Sequence, residues 1–142
     1  MGTLGSAINA SASVLNAQRQ RMEVAVSNLA NAEATHGPDG QPYRRREVVL
    51  ETAQPDGFGA SLNAAGAPGV RVAAVVEDQS PFRLRHDPGH PDADADGNVA
   101  VPNVDVPEEM VDMLGAARAY QANLSAIAIV RETIQKALEL TR

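Results

Sequence analysis

Residues 105–138 read DVPEEMVDMLGAARAYQANLSAIAIVRETIQKAL, and this stretch decides the fold. Its apolar and small side chains recur at steps of three or four, which places them on one face of an α-helix. Asp105 and Glu108 form a capping-box-like pair around Pro107, which favours a helix that begins here. We predict a C-terminal helix over 105–142, with an apolar face made by Met110, Met113, Ala117, Tyr120, Leu124, Ile127, Ile134 and Leu138.

The N-terminal end carries a similar pattern. Leu15, Met22 and Leu29 are spaced by seven residues, and Ile8 lies seven residues before Leu15. This spacing predicts a single amphipathic helix over residues 3–35.

The segment between the two helices holds eight of the nine prolines, and the ninth is Pro107. It also contains short runs of β-branched residues. Alternating residues flanked by Pro, Gly and Asp are typical of strands separated by turns. We expect an α+β fold in which two long terminal α-helices pair as a coiled coil around a small inserted β region. The predicted strands are 44–51, 70–77, 82–85 and 98–101, and the predicted units are 1–36, 37–104 and 105–142.

Composition narrows the function. The net charge of −6 argues against a nucleic-acid binder, and no apolar run approaches the length of a membrane span. The chain of 142 residues has four aromatic side chains and no Trp, so its core should be thin and its helix faces should need partner chains. The sequence has no cysteine, and its N-terminus lacks the pattern of a cleaved signal peptide. We therefore expect a cytoplasmic protein, or one that leaves the cytoplasm by a route without cleavage.

Motifs that suggest chemistry have simpler interpretations. Residues 92–97 reproduce the first half of a calcium loop, but Asn103 stands where the loop needs a bidentate Glu, so a solvated acidic turn is favoured. His86 and His90 flank Asp87-Pro88-Gly89, which cannot be helical, so they are interpreted as surface residues of a turn. Phosphate-binding and nucleophile motifs are missing from the sequence. We predict no catalytic, cofactor-binding or metal-binding residue.

Two clusters of charged residues also need an interpretation. Arg44, Arg45 and Arg46 are either a contact for an acidic partner or the exposed face of a strand start. Glu108 and Glu109 are interpreted as first-turn carboxylates that favour the positive end of the helix dipole.

Two longer blocks are more specific. The first contains Ala17-Gln18-Arg19-Gln20-Arg21-Met22 and Ser27-Asn28-Leu29-Ala30-Asn31-Ala32, and the second runs from Asp87-Pro88-Gly89-His90-Pro91-Asp92 to Pro102-Asn103-Val104-Asp105. Together they resemble the flagellar basal-body rod and hook proteins over essentially the whole chain. The second block resembles the proximal-rod members in particular.

The resemblance implies a structural subunit, not an enzyme, located in the rod of the basal body within the periplasmic space. It would stack with itself and with other proximal-rod subunits into the driveshaft that transmits torque to the distal rod and hook. Its further partners would be the distal rod, basal-body ring and export-gate adaptor proteins. It would be a substrate of the flagellar type III export apparatus, exported without a cleaved signal peptide.

Under this interpretation the helix faces are the assembly chemistry, and we expect Leu15, Met22, Leu29, Met113, Tyr120, Leu124, Ile127 and Leu138 to make contacts within and between subunits. Asn28 and Asn31 are expected to satisfy hydrogen bonds where the first helix leads into the β region. The alternatives are another axial protein of the rod or hook junction and, remotely, a metal-dependent hydrolase.

Overall fold

The computed structural model describes residues 2–37, 39–53 and 68–140. The elements follow in the order α1 (Gly2–Ala30), β1 (Arg46–Ala53), β2 (Gly69–Glu77), β3 (Arg83–His86), β4 (Asn98–Val101) and α2 (Val106–Glu139). The fold is α+β, with two terminal helices and two small antiparallel sheets, as the sequence predicts. The helix α1 ends at Ala30, before the predicted end at residue 35, and a turn follows it.

The two helices pack against each other and run in opposite directions. Asn28 near the end of α1 bonds Glu109 near the start of α2, and Arg21, seven residues earlier, pairs with Asp112 at 3.4 Å. Proline fits the first turn of α2 because its missing N–H has no partner there. Asp105 is the N-cap residue, but its side chain makes no capping hydrogen bond, so the predicted capping box is wrong. Glu108 lies 3.7 Å from Arg45 instead.

The strands β1 and β2 pair antiparallel, from Arg46 opposite Glu77 to Ala53 opposite Gly69. The register shifts between Val49 and Leu50, so that Ala73 is an extra residue on β2. Ion pairs join Arg46 to Glu77 and Arg71 to Glu51 across the sheet. The strands β3 and β4 form the second sheet, from Arg83 opposite Val101 to His86 opposite Asn98.

The helix α1 lies between α2 and the first sheet, because it contacts both strands of that sheet as well as α2. Ser13 fixes one of these contacts: its hydroxyl donates to the carbonyl of Ala10 and accepts from the backbone N–H of Val70. A Cβ on Gly69 would come within 2.7 Å of the same hydroxyl, which explains the glycine at this close approach.

The core is thin. Within the described residues, the buried hydrophobic side chains are Ala17, Ala25, Val99, Val104 and Ala116. Larger apolar side chains remain substantially exposed on α2 and on the first sheet. None of the described helices is long and apolar enough to cross a membrane.

Candidate assembly site

Asn28 is the centre of a polar junction between α1, the segment before β1, and the start of α2. Its side chain is 1% exposed, and its amide nitrogen donates to the carbonyl of Arg46 at 2.8 Å and to Oε2 of Glu109 at 2.9 Å. Its amide oxygen accepts from the hydroxyl of Tyr43 and from the backbone N–H of Arg46. All four hydrogen-bonding positions of the side chain are therefore filled.

Glu109 meets Asn28 from the first turn of α2 and is itself 2% exposed. Its second carboxylate oxygen accepts a hydrogen bond from Nε of Arg45, so the buried charge is paired. Burial lowers the pKa of Arg45, but the hydrogen bond and the negative charge of Glu109, with Glu108 and Glu47 beyond it, outweigh burial and raise that pKa overall. Breaking a buried pair of this kind typically costs about 3–5 kcal/mol of stability.

Asn103 ties the segment before α2 to the same junction. Its amide oxygen accepts from the backbone N–H of Arg45 at 2.9 Å, and its amide nitrogen donates to Oγ of Ser80 at 2.8 Å. Pro102 and Val104 on either side are buried. Arg83 donates to the carbonyl of Val104. The segment 102–105 is thus held by contacts on both sides before α2 begins.

Ser27 on α1 and Asn31, just after the end of α1, complete this region. The hydroxyl of Ser27 lies 3.3 Å from that of Tyr43, and the side chain of Asn31 donates to the carbonyl of Ser27 at 2.8 Å. Asn31 therefore bonds to the last turn of the helix before it, whereas Asn28 bonds to the β region and to α2.

The three consecutive arginines separate into different environments. Arg45 turns inward to Glu109, Arg44 lies over the ring of Phe82 with 4.3 Å between its guanidinium carbon and the ring centroid, and Arg46 is exposed beside Glu77. Glu109 lies in the first turn of α2, as the sequence predicts, and its side chain is also buried against Arg45, which was not predicted. A charged residue in step with Met113 and Ala116, four and seven residues later, was the signal that this position faces α1.

The apolar face of α2 divides into two parts. Met113, Tyr120 and Ile127 are half-buried, and their spacing from Glu109 puts them on the side of α2 that contacts α1. Leu15, Met22 and Leu29 on α1 are also half-buried. Leu124 and Leu138 lie outside this set and are 46% and 55% exposed. Val106, Met110, Leu114 and Leu124 are exposed beside the α1-facing side, and Leu138 is exposed near the end of α2, about five helical turns after Tyr120. We call these residues the outer row.

The acidic turn at residues 92–97 makes contacts that hold surface loops together. Asp92 accepts from Thr35 at 2.9 Å and lies 3.0 Å from His36, and these contacts hold its pKa below the usual value, with the Thr35 hydrogen bond the largest cause. Asp94 accepts from the backbone N–H groups of Asp96 and Asn98. Across the described ranges, no cluster of three or more His, Asp or Glu side chains is placed to hold a metal ion.

Two family models of known proteins match the chain, one in the region of each terminal helix. Residues 8–38 match the family model described as flagella basal body rod protein, and residues 95–140 match the one described as flagellar basal body rod FlgEFG protein C-terminal. The fold and these matches define a flagellar basal-body rod protein.

Relatives over the full length narrow this class. The chain is 48% identical to the FlgC rod protein of Escherichia coli O6:H1 over 128 residues, which cover 90% of each chain. It is 42% identical to that of Bacillus subtilis over 94% of this chain and 95% of the relative, and 38% identical to that of Borreliella burgdorferi over 96% and 97%. The chain belongs to the FlgC family, whose members are structural rod proteins and not enzymes.

Proposed function

We propose that this chain is a subunit of the proximal rod that assembles with copies of itself and with related rod proteins through its terminal helices. In this role it forms part of the driveshaft that transmits torque to the distal rod and hook. Membership of the FlgC family supports the rod, and the outer row of α2 supports assembly through the helices.

The outer row is the observation that carries this proposal. It runs from Val106 to Leu138, a length of about 48 Å at the rise of an α-helix. Each of its members is at least 42% exposed, although each is a large apolar side chain. Large apolar side chains that stay exposed at intervals along a helix of this length favour a contact with another chain.

The pairing of α1 and α2 supplies the kind of surface that a neighbouring helix pair fits. Met113, Tyr120, Ile127 and Ile134 on α2 are spaced by seven residues, as are Leu15, Met22 and Leu29 on α1. This is the spacing of a coiled-coil seam, and the outer row offers a second seam beside the first. A contact that repeats from one subunit to the next without closing generates a helical rod.

The proposed role also implies a location and a set of partners. The subunit would lie in the periplasmic part of the basal body, between the basal-body ring with its export-gate adaptors and the distal rod. It would reach that place through the flagellar type III export apparatus without cleavage of a signal peptide.

A different axial protein of the rod or hook junction is the second candidate. It is favoured by the match of residues 95–140 to the family model described for FlgEFG proteins. Identities of 38–48% to FlgC proteins over at least 90% of this chain favour the proximal rod instead.

A single outer-row variant tests the proposal. Leu124→Asp should leave the isolated chain as helical and as stable as wild type, because Leu124 is already 46% exposed. It should prevent incorporation into rods, since a buried charge between subunits has no partner. The readouts are mass spectrometry of purified hook–basal bodies and swimming in the host strain deleted for its own copy of the gene.

Ala126→Asp is the matched control, because it adds the same side chain at an exposed position two residues later, on the far side of α2 from Leu124. It should restore swimming to the deletion strain. Normal swimming with Leu124→Asp would overturn assembly through the outer row. Wild-type protein missing from basal bodies, with a motile deletion strain, would overturn the rod subunit itself.

A further inference from the structure

The contact between α1 and α2 has a repeating apolar pattern. Leu15, Met22 and Leu29 on α1 are spaced by seven residues, as are Met113, Tyr120, Ile127 and Ile134 on α2, and all of them are half-buried. Within the described residues, the buried hydrophobic side chains of the two helices are all alanines, Ala17 and Ala25 on α1 and Ala116 on α2. Apolar contacts with a common repeat are nearly equivalent after one helix slides by seven residues, so they do not select one alignment.

The start of α2 could accommodate such a slide. A shift of seven residues moves the helix by about 10 Å, and unwinding about six residues into extended chain releases a similar length. In the first six residues of α2, Val106 to Val111, Glu109 is the only buried side chain. Glu109 therefore makes the buried side-chain contacts that oppose unwinding in this turn, and Glu108 adds an exposed ion pair with Arg45 at 3.7 Å.

Glu109 has partners in one alignment only. Its carboxylate is bonded by Asn28 of α1 and by Arg45 of the segment before β1, which are 81 and 64 residues away in the chain. After a slide, the carboxylate would be separated from both partners, and Asn28 would lose one of its four hydrogen bonds. The other polar residue on the same face, Asn123, bonds to the carbonyl of Ala119 in its own helix and is indifferent to the alignment.

We propose that Glu109, held by Asn28 and Arg45, sets the axial register of α2 against α1. The register determines the height at which the outer row is presented along the helix pair. This inference rests on the proposed function only for the use that the rod makes of the register.

Distances between spin labels on the full-length chain test the register directly. The sequence has no cysteine, so Asn16→Cys on α1 and Ala128→Cys on α2, both exposed positions, accept labels without competition. The otherwise wild-type chain should give one distance. Replacing the pair by apolar residues of similar size, Glu109→Leu with Arg45→Met, should keep the helicity. It should add a second label distance, from molecules in which α2 has shifted along α1 by about 10 Å.

Two variants serve as controls. Arg21→Met with Asp112→Leu removes an exposed ion pair between the same two helices and should leave a single distance. Glu109→Gln keeps a bond to Asn28 and should also give a single distance. If the double apolar variant does not reach wild-type helicity, Glu109→Leu alone is measured, because Arg45 then retains Glu108 and Glu47.

One unchanged distance in the helical apolar variant would overturn the inference, because the alanine and heptad contacts would then set the register. Two populations in the otherwise wild-type chain would overturn it as well. Neither result depends on rod assembly, which the swimming assay measures separately.

Discussion

The two ends of α2 differ in what they bury. At its start, Asn28 and Glu109 are almost fully enclosed and every polar group of Asn28 is paired. Toward its other end, Ile129, Leu138 and Leu140 are all more than half exposed. The start has polar groups that are paired inside the subunit, and the far end has large apolar side chains that are more than half exposed. Under the proposed function, the junction would stabilise the single subunit and assembly would stabilise the remainder of α2.

The largest effect should come from the junction. Arg45→Ala leaves the carboxylate of Glu109 buried without its cation, so the free energy of unfolding should fall by about 3–5 kcal/mol. The adjacent Arg46→Ala removes an ion pair whose side chains are both about half exposed, and should cost at most about 1 kcal/mol. Urea unfolding followed by far-UV circular dichroism measures both, and equal losses would remove the distinction between the two regions.

A smaller effect should separate the two faces of α2. Ile127→Ala removes a half-buried side chain that faces α1, and should cost about 1–2 kcal/mol, below the range for a fully buried isoleucine. Leu124→Ala, on the outer row, should change the stability of the isolated chain by less than about 0.5 kcal/mol. The same unfolding measurement compares them. A greater loss for Leu124 would mean that the outer row is covered within the subunit.

The smallest effect should be that of Asp92, which fastens the turn after α1 to the β3–β4 loop at the surface. Its pKa is lower in the folded chain than in the unfolded chain, so its stabilising contribution is present above the ordinary pKa of about 3.9. That contribution is lost as the pH falls through the lowered folded value. Thermal unfolding of wild type and Asp92→Asn should differ slightly at pH 6, and the difference should shrink as the pH falls below about 3.9. A difference that grew in acid would contradict this direction.

The sequence predicted the elements better than the contacts. Helical spacing and proline positions indicated both helices and all four strands, with ends displaced by a few residues, because these signals are local in the chain. Asn28 was also expected to bond where α1 leads into the β region. Its bond to Glu109 spans 81 residues of sequence, and no local pattern encodes such a partner.

Charge was the least predictable property. Arg44, Arg45 and Arg46 are adjacent and identical, yet Arg45 bonds a buried carboxylate, Arg44 lies over the ring of Phe82, and Arg46 is exposed between Glu77 and the ring of Tyr43. These environments depend on segments that meet only in the folded chain. The division of the apolar residues of α2 into an inner and an outer set was likewise undetermined, since Leu124 and Ile127 lie three residues apart and both suit a helical face.

The separation of 81 residues between Asn28 and Glu109 also limits when the junction can form. A chain that passes through a narrow pore from either end cannot close the junction until both residues, and the 80 between them, have emerged. Long-range closure of this kind makes folding slow compared with local helix formation. Such a chain would leave the pore as separate, unpaired segments, and its permanent shape would be acquired only at its destination.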